Sequence, residues 1–127
     1  MVIGLGSDVS AGPDLSLFAV MRAGAYTQSG LRTMLDDHYS PLAPPDWLRL
    51  GSLEGARALG LAHAIGSVEV GKEADLIVVD PALTAPLPHL DAAEPEEIAS
   101  RLIFRSHPNM VRAAWVRGRR LDGPPNA

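Results

Sequence analysis

The chain opens on an apolar run, Val2-Ile3-Gly4-Leu5-Gly6, that ends at Ser7-Asp8 and passes into small, turn-forming residues through Gly12. A short apolar run bounded in this way predicts a buried strand. Gly12-Pro13-Asp14 predicts a turn, with Asp14 or Ser16 placed to cap a helix. Leu15, Phe18, Met21 and Ala25 recur at helical spacing, so the prediction is an amphipathic helix over about 15–29. Residues 33–45 are polar and proline-bearing and read as a long loop or a short irregular helix. Pro44-Pro45 suit the first turn of a second helix, where a missing N–H costs nothing. Its apolar stripe is Trp47, Leu50, Leu53, Ala56 and Leu59, and Gly60 is its stop.

Beyond it, Ile65 to Val70 is apolar-rich and short, and Gly71-Lys72-Glu73-Ala74 turns the chain. Asp75-Leu76-Ile77-Val78-Val79-Asp80 is the clearest strand in the sequence, ended by Pro81. A loop rich in proline and acidic residues is predicted over 84–95, and a short helix over 96–104. Met110 to Val116 reads as a strand that turns at Arg117-Gly118 into Arg119-Arg120-Leu121, a short hairpin. The tail, 122–127, is expected to fray.

This set of elements is unbalanced. One parallel-type strand and a helix cannot close a sheet, and the later strands form an antiparallel unit too small to stand alone. Either the chain is a marginal α+β domain, or it is the C-terminal piece of something larger. Met1 leads straight into a core-like strand, as if the chain began mid-fold.

Composition narrows the function classes. With 127 residues and 46% apolar content the chain fits one domain and is not a disordered segment. Its net charge of −4 gives no basic footprint for nucleic acid or an anionic membrane. The absence of cysteine removes disulfides, thiolate metal sites and a cysteine nucleophile, and is compatible with a cytoplasmic location. No apolar stretch reaches the roughly 20 residues of a membrane span. A secretory leader is not predicted, because a basic n-region is missing and Gly4, Gly6 and Asp8 interrupt the apolar run.

Asp8 is the leading candidate for chemistry. In parallel α/β sheets and barrels the carboxyl ends of strands line a shared crevice, and Asp8 stands at such an end. The plainer alternative is a turn carboxylate or helix cap. Gly4-x-Gly6 is not a dinucleotide loop, since Val9 stands where a third glycine is needed. Ser10 and Ser16 lack a Gly-x-Ser-x-Gly elbow and are assigned to turn and cap roles. His38, His63, His89 and His107 are 18 to 26 residues apart, form no His-x-His pair, and sit in or beside predicted loops. They are read as solvent-exposed. Gly71-Lys72 is read as a turn with a solvated lysine. Arg112, Arg117, Arg119 and Arg120 are read as charges guarding a hairpin edge. Trp47 and Trp115 are assigned to packing, Asp14 to a cap and Asp75 to the start of a strand.

Three segments together resemble the C-terminal third of the amidohydrolase superfamily. Gly4-Leu5-Gly6-Ser7-Asp8 is similar to its last barrel strand, which ends on a metal-binding aspartate. Gly55-Ala56-Arg57-Ala58-Leu59-Gly60-Leu61, continuing through Ile65 to Val79, resembles a helix and its return into a small β-sandwich. Val111 to Arg119 resembles the hairpin that closes that sandwich. Asp8-Val9-Ser10-Ala11-Gly12 followed by Leu15-Ser16-Leu17, with Leu102 to Asn109, narrows the resemblance to the guanine deaminase family. Ser7 stands where threonine is frequent there, Glu54 where glycine is frequent, and Ser106-His107-Pro108 replaces a more acidic run.

The resemblance implies an α/β fold: the C-terminal fragment of a (β/α)8 barrel plus part of a composite β-sandwich. Residues 1–62 would be the last barrel strand and C-terminal helices, and 63–127 the sandwich segment with its closing hairpin. It also implies one zinc or iron ion with Asp8 as a ligand and catalytic carboxylate, a nucleobase substrate, and a homodimer at full length. The implied reaction is hydrolytic deamination of guanine to xanthine and ammonia. Alternatives are deamination of another purine, pyrimidine or triazine, and a non-catalytic interaction module. One carboxylate is short of the three or four protein ligands a zinc ion normally has, so this chain alone is expected to bind metal poorly and catalyse nothing.

Overall fold

A computed structural model describes residues 1–9, 11–12, 14–35, 40–84 and 94–121. Its elements, in order, are α1 (Leu17–Met34), α2 (Pro44–Leu50), α3 (Leu53–Ala58), β1 (Leu76–Val79), α4 (Pro95–Phe104), β2 (Val111–Val116) and β3 (Arg119–Leu121). Single 3-10 turns, Pro81–Thr84 and Pro108–Met110, precede α4 and β2.

α1 forms where the 3.6-residue period of apolar positions predicts a helix, and it buries Ala19, Met21 and Ala25. Pro44 and Pro45 open α2 as expected, and the Asp46 carboxylate accepts the Ala43 N–H at 2.9 Å. The predicted second helix is divided. Gly51-Ser52 breaks it, the Ser52 hydroxyl donating back to the Leu48 carbonyl at 2.7 Å, and α3 restarts at Leu53. The apolar stripe runs across the break, burying Trp47 and Ala56, and stops before Leu59, which is exposed. Gly60 ends α3 with φ +73°: its N–H donates to the Arg57 carbonyl, and the Leu61 N–H to the Ala56 carbonyl. This is a Schellman motif, which satisfies two otherwise orphaned carbonyls.

α4 packs against both α1 and α2. Ile103, with no accessible surface, is the centre of a core shared with Met21, Ala25 and Trp47, and Leu5, Phe18, Leu48 and Phe104 pack around it. Arg101 is buried in the same helix and is paired one turn back with Glu97, as a buried cation requires.

The sheet is antiparallel, in the order β1-β2-β3. Arg117 (φ +49°) and Gly118 (φ +73°) form the two-residue turn between β2 and β3. Left-handed backbone at both positions is the hairpin turn whose twist matches its strands. The turn is tied to the strand start: the Asp75 carboxylate accepts the Arg117 N–H at 2.7 Å, and the Ala74 carbonyl accepts the Gly118 N–H at 3.1 Å. Trp115 is half-buried, with the Arg120 guanidinium 5.9 Å from its ring, so both groups are engaged within the hairpin.

At the far end of the sheet the Arg112 guanidinium donates to the Asp80 carboxylate, Nη2 to Oδ2 at 2.8 Å. That hydrogen bond, with the Ala82 N–H second, holds the Asp80 carboxyl below the usual carboxylate range. The folded value lies below the unfolded value of about 3.9. Asp80 therefore contributes stability above about pH 3.9 and loses it as pH falls through the folded value. Arg112→Ala is expected to raise the Asp80 midpoint toward about 3.9 in a carboxyl-carbon NMR titration. An unmoved midpoint would show that Arg112 is not the cause.

Two expectations are corrected. The front strand over Val2 to Ser7 is not formed: no strand is assigned there, and Val2 and Ile3 are more than half exposed. A strand exists only by hydrogen-bonding to a neighbour, and no described strand flanks this segment. Ile65 to Val70 is a series of bends and turns with Val68 and Val70 exposed, and the return into the sheet is made at β1. Lys72 is not solvated. Its side chain retains 11% of its exposure and donates to the Ser67 hydroxyl at 2.5 Å and to Glu69 at 3.1 Å. Hydrogen bonding from Ser67, and then from Lys72, lowers the Glu69 carboxyl below its ordinary value.

Large apolar surfaces remain uncovered. Val2 and Ile3, Val68 and Val70, and Ile77 and Val78 on opposite faces of β1 are all exposed apolar positions. No helix among the described residues is long and apolar enough to cross a membrane.

Candidate functional site

The N-terminal segment carries Asp8 and is held on α2 and α3. The Leu5 N–H donates to the Leu50 carbonyl at 3.2 Å, and Leu5 packs beside the core. One residue earlier the contact is backbone to backbone: a Cβ at Gly4 would lie 2.5 Å from the Gly55 Cα. Only glycine permits that approach. Glu54, beside it in α3, bonds Arg49 at 2.8 Å and Arg57 at 2.6 Å. These two, Arg49 foremost, lower its carboxyl from the ordinary value. Glu54 thus links α2 to α3 at the surface, which accounts for a charged residue there without a role in chemistry.

Past this anchor the chain reverses at Asp8, whose φ of +44° is left-handed. Among side-chain-bearing residues Asp and Asn tolerate this region best. The Asp8 carbonyl accepts the Ala11 N–H at 2.9 Å and the Gly12 N–H at 2.5 Å. The turn accordingly uses the backbone of Asp8 and leaves its carboxylate uncommitted. Asp8 is exposed, and among the described residues no side chain or backbone group donates to that carboxylate. Downstream, the Asp14 carboxylate accepts the Ser16 N–H at 3.0 Å and leads the chain into α1, while the Ser16 side chain makes no capping bond. Asp14 therefore makes a local turn ahead of α1 and bonds none of the N–H groups of its first turn, so neither it nor Ser16 is the cap expected.

Among the described residues, the other sequence candidates form no metal-binding group with Asp8. His63 and His107 are exposed, as read from their loop positions; His38, His89 and Ser10 lie outside the described residues. His107 accepts the Asn109 N–H on Nδ1 at 3.2 Å, capping the turn before β2. It also lines a cleft of about 290 Å³ with Ser16, Phe18, Arg22, Ser106 and Met110, and Asp8 does not border that cleft. Among the described residues no three His, Asp or Glu side chains come together as a metal-binding group.

Two interactions were not anticipated from sequence. Asp75 holds the hairpin turn 42 positions away, and no local pattern marks such a contact. Gly12 closes the turn on Asp8. Its signal was present in the spacing, since residues three and four places after Asp8 are those that can reach back to its carbonyl.

Comparison with known proteins places this geometry in a family. A model of the amidohydrolase family matches residues 1–121. A probable guanine deaminase of Schizosaccharomyces pombe is 31% identical over 125 residues, which is 95% of this chain and 23% of that protein. The structure of E. coli guanine deaminase superposes with a TM-score of 0.79 at 24% identity, over 98% of this chain and 28% of that one, a likeness of fold. An adenosine deaminase from Xanthomonas campestris with bound zinc gives a TM-score of 0.66 at 34% identity, over 84% of this chain and 22% of that one. The chain spans about a quarter of the length of the relatives it matches. With the family model matched along nearly all of it, and with its fold shared by solved deaminases, this chain belongs to the amidohydrolase family.

Proposed function

We propose that residues 1–127 are the C-terminal quarter of a guanine deaminase-like amidohydrolase, and that Asp8 is its last metal ligand and a proton-transfer carboxylate. The observation that supports this is a carboxylate with no described partner, on a turn closed by the Ala11 and Gly12 N–H groups, in a chain matched by the amidohydrolase family model. The unformed front strand supports the reading, since Val2 to Ser7 would find hydrogen-bond partners between barrel strands supplied from outside this chain. So do the bare apolar faces of β1 and of Val68 and Val70, which a composite sandwich would cover. On this reading 1–62 belongs to the barrel and 63–127 to the sandwich.

The described residues by themselves do not make a metal site, so further ligands would come from the rest of the enzyme. Zinc or iron, when bound there, lowers the pKa of water to about 7. Asp8 would help to hold the ion, and its carboxylate would accept a proton from the attacking water and return it to the departing amine. Water adds to the ring carbon bearing the amino group, and ammonia leaves. With guanine the product is xanthine. A small-molecule substrate in a homodimeric enzyme completes the proposal. A second reading, deamination of another aminated ring, is favoured by the adenosine deaminase likeness; this chain holds none of the strands that would distinguish the rings.

The test isolates the cellular protein that carries this chain, using an antibody raised against it. Metal content and ammonia release from guanine, adenosine and an aminotriazine are then measured. The expected result is about one zinc or iron per chain and release from guanine above the others. The purified 127-residue chain assayed alone should bind zinc weakly and release no ammonia. If the cellular protein, supplied with zinc or iron, releases ammonia from none of these rings, the deaminase reading fails.

A further inference from the structure

We propose that Gly12 is a positioning residue for Asp8: by closing a turn that no other residue could occupy, it sets the backbone angle from which the Asp8 carboxylate projects. The proposal rests on the reading of Asp8 as the working carboxylate. It is carried by three observations about the backbone. The first is conformational. Asp8 is held at φ +44°, away from the extended or helical angles an aspartate ordinarily adopts. A side chain leaves such a residue in a different direction than it would from an extended strand, so the angle decides where the carboxylate goes. Strain of this kind persists only where the surroundings impose it.

The second is the way the angle is imposed. The Ala11 and Gly12 N–H groups both converge on the Asp8 carbonyl, at 2.9 and 2.5 Å. Gly12 approaches so closely that a Cβ there would lie 1.7 Å from the Ser7 carbonyl oxygen, 2.9 Å from the Ser7 carbonyl carbon and 3.1 Å from the Asp8 carbonyl oxygen. All three are backbone atoms, so no rotamer change relieves the overlap. Any side chain at position 12 must open the turn and release Asp8 from its angle.

The third is that the two sides of the turn are anchored. Upstream, Gly4 is seated on Gly55, and Leu5 is bonded to Leu50; downstream, the chain enters α1, whose Ala19 and Met21 are buried. Displacement at Gly12 therefore cannot be dissipated by sliding the segment along the helices, and falls on Asp8. Gly6 serves as an internal control. It lies in the same segment, two residues before Asp8, and a Cβ there meets nothing within 4 Å.

The experiment has two arms. In the isotope-labelled 127-residue chain, the three-bond coupling between the amide and Cα protons of Asp8, which follows φ, is compared for wild type, Gly12→Ala and Gly6→Ala. The expected result is a changed Asp8 coupling in Gly12→Ala alone, with resonances of α1 and of the β2–β3 hairpin in place. An unchanged coupling overturns the proposal. So does an equal change in Gly6→Ala, or collapse of the whole spectrum, which would make Gly12 a residue of general folding.

In the cellular enzyme, Gly12→Ala is expected to lower kcat by about 10²-fold with KM nearly unchanged, the cost of a misplaced reacting group. Made in an Asp8→Asn background, it should lower activity no further, because the group it positions is already gone. An equal loss in both backgrounds overturns the positioning role while leaving the deaminase reading intact. If Asp8→Asn itself leaves activity unchanged, the reading of Asp8 has failed instead.

Discussion

Asp8→Asn in the cellular enzyme is expected to lower kcat for ammonia release by about 10²–10⁴-fold, the range carried by a positioned acid–base group. Asparagine keeps the size of the side chain and tolerates left-handed backbone as well as aspartate does, so the turn on Ala11 and Gly12 should survive. What is lost is the negative charge that would bind a cation and the oxygen that would carry the proton. Metal content should fall together with kcat, and the melting temperature of the isolated 127-residue chain should not move, because no described contact uses the carboxylate. A variant with full metal and full activity would return Asp8 to the plainer role of a turn residue. Loss of fold in the isolated chain would do the same.

Ile103→Ala is expected to destabilise the isolated chain by about 2–5 kcal/mol, through lost burial and the cavity left between α1, α2 and α4. Ile103 has no accessible surface and packs with Met21, Ala25 and Trp47, so no solvent can fill the gap and no single neighbour can close it. Native domains have only about 5–15 kcal/mol in hand, and this chain leaves much of its apolar surface uncovered. The variant should therefore lose its helical core at lower urea than wild type. Ile103→Val, which removes one methyl group, should cost only about 0.5–1.5 kcal/mol. Urea denaturation followed by fluorescence of the buried Trp47 measures both. Equal midpoints for wild type and Ile103→Ala would show that the three-helix core is not what stabilises the chain.

The elements that were legible in the sequence are those whose causes lie within a few residues. The α1 stripe, the prolines that open α2, Gly60 at the end of α3, the run that becomes β1 and the Arg117-Gly118 turn each carry their own instruction. The failures lie where the decisive partner is distant. Val2 to Ser7 has the composition of a strand, but a strand needs an edge to bond, and none is described beside it. Lys72 has the look of a turn lysine in water, yet Ser67 and Glu69 fold back over it. Gly51-Ser52 divided a continuous apolar stripe because the Ser52 backbone leaves helical angles, at φ −130° and ψ −91°.

The candidate site divides in the same way. By itself the sequence determined that Asp8 follows an apolar run, that small residues come after it, and that the whole order of segments is of the amidohydrolase kind. Covalent neighbourhood and hydrophobic period suffice for that much, since both are written residue by residue. Only the tertiary structure decided that the backbone of Asp8 is left-handed, that its carbonyl is consumed by Ala11 and Gly12, and that its carboxylate is left without a described partner. Those outcomes depend on how closely Gly12 approaches Ser7 and on where α2 and α3 hold Gly4 and Leu5. Such distances arise from packing between segments remote in the chain, and no local pattern encodes them.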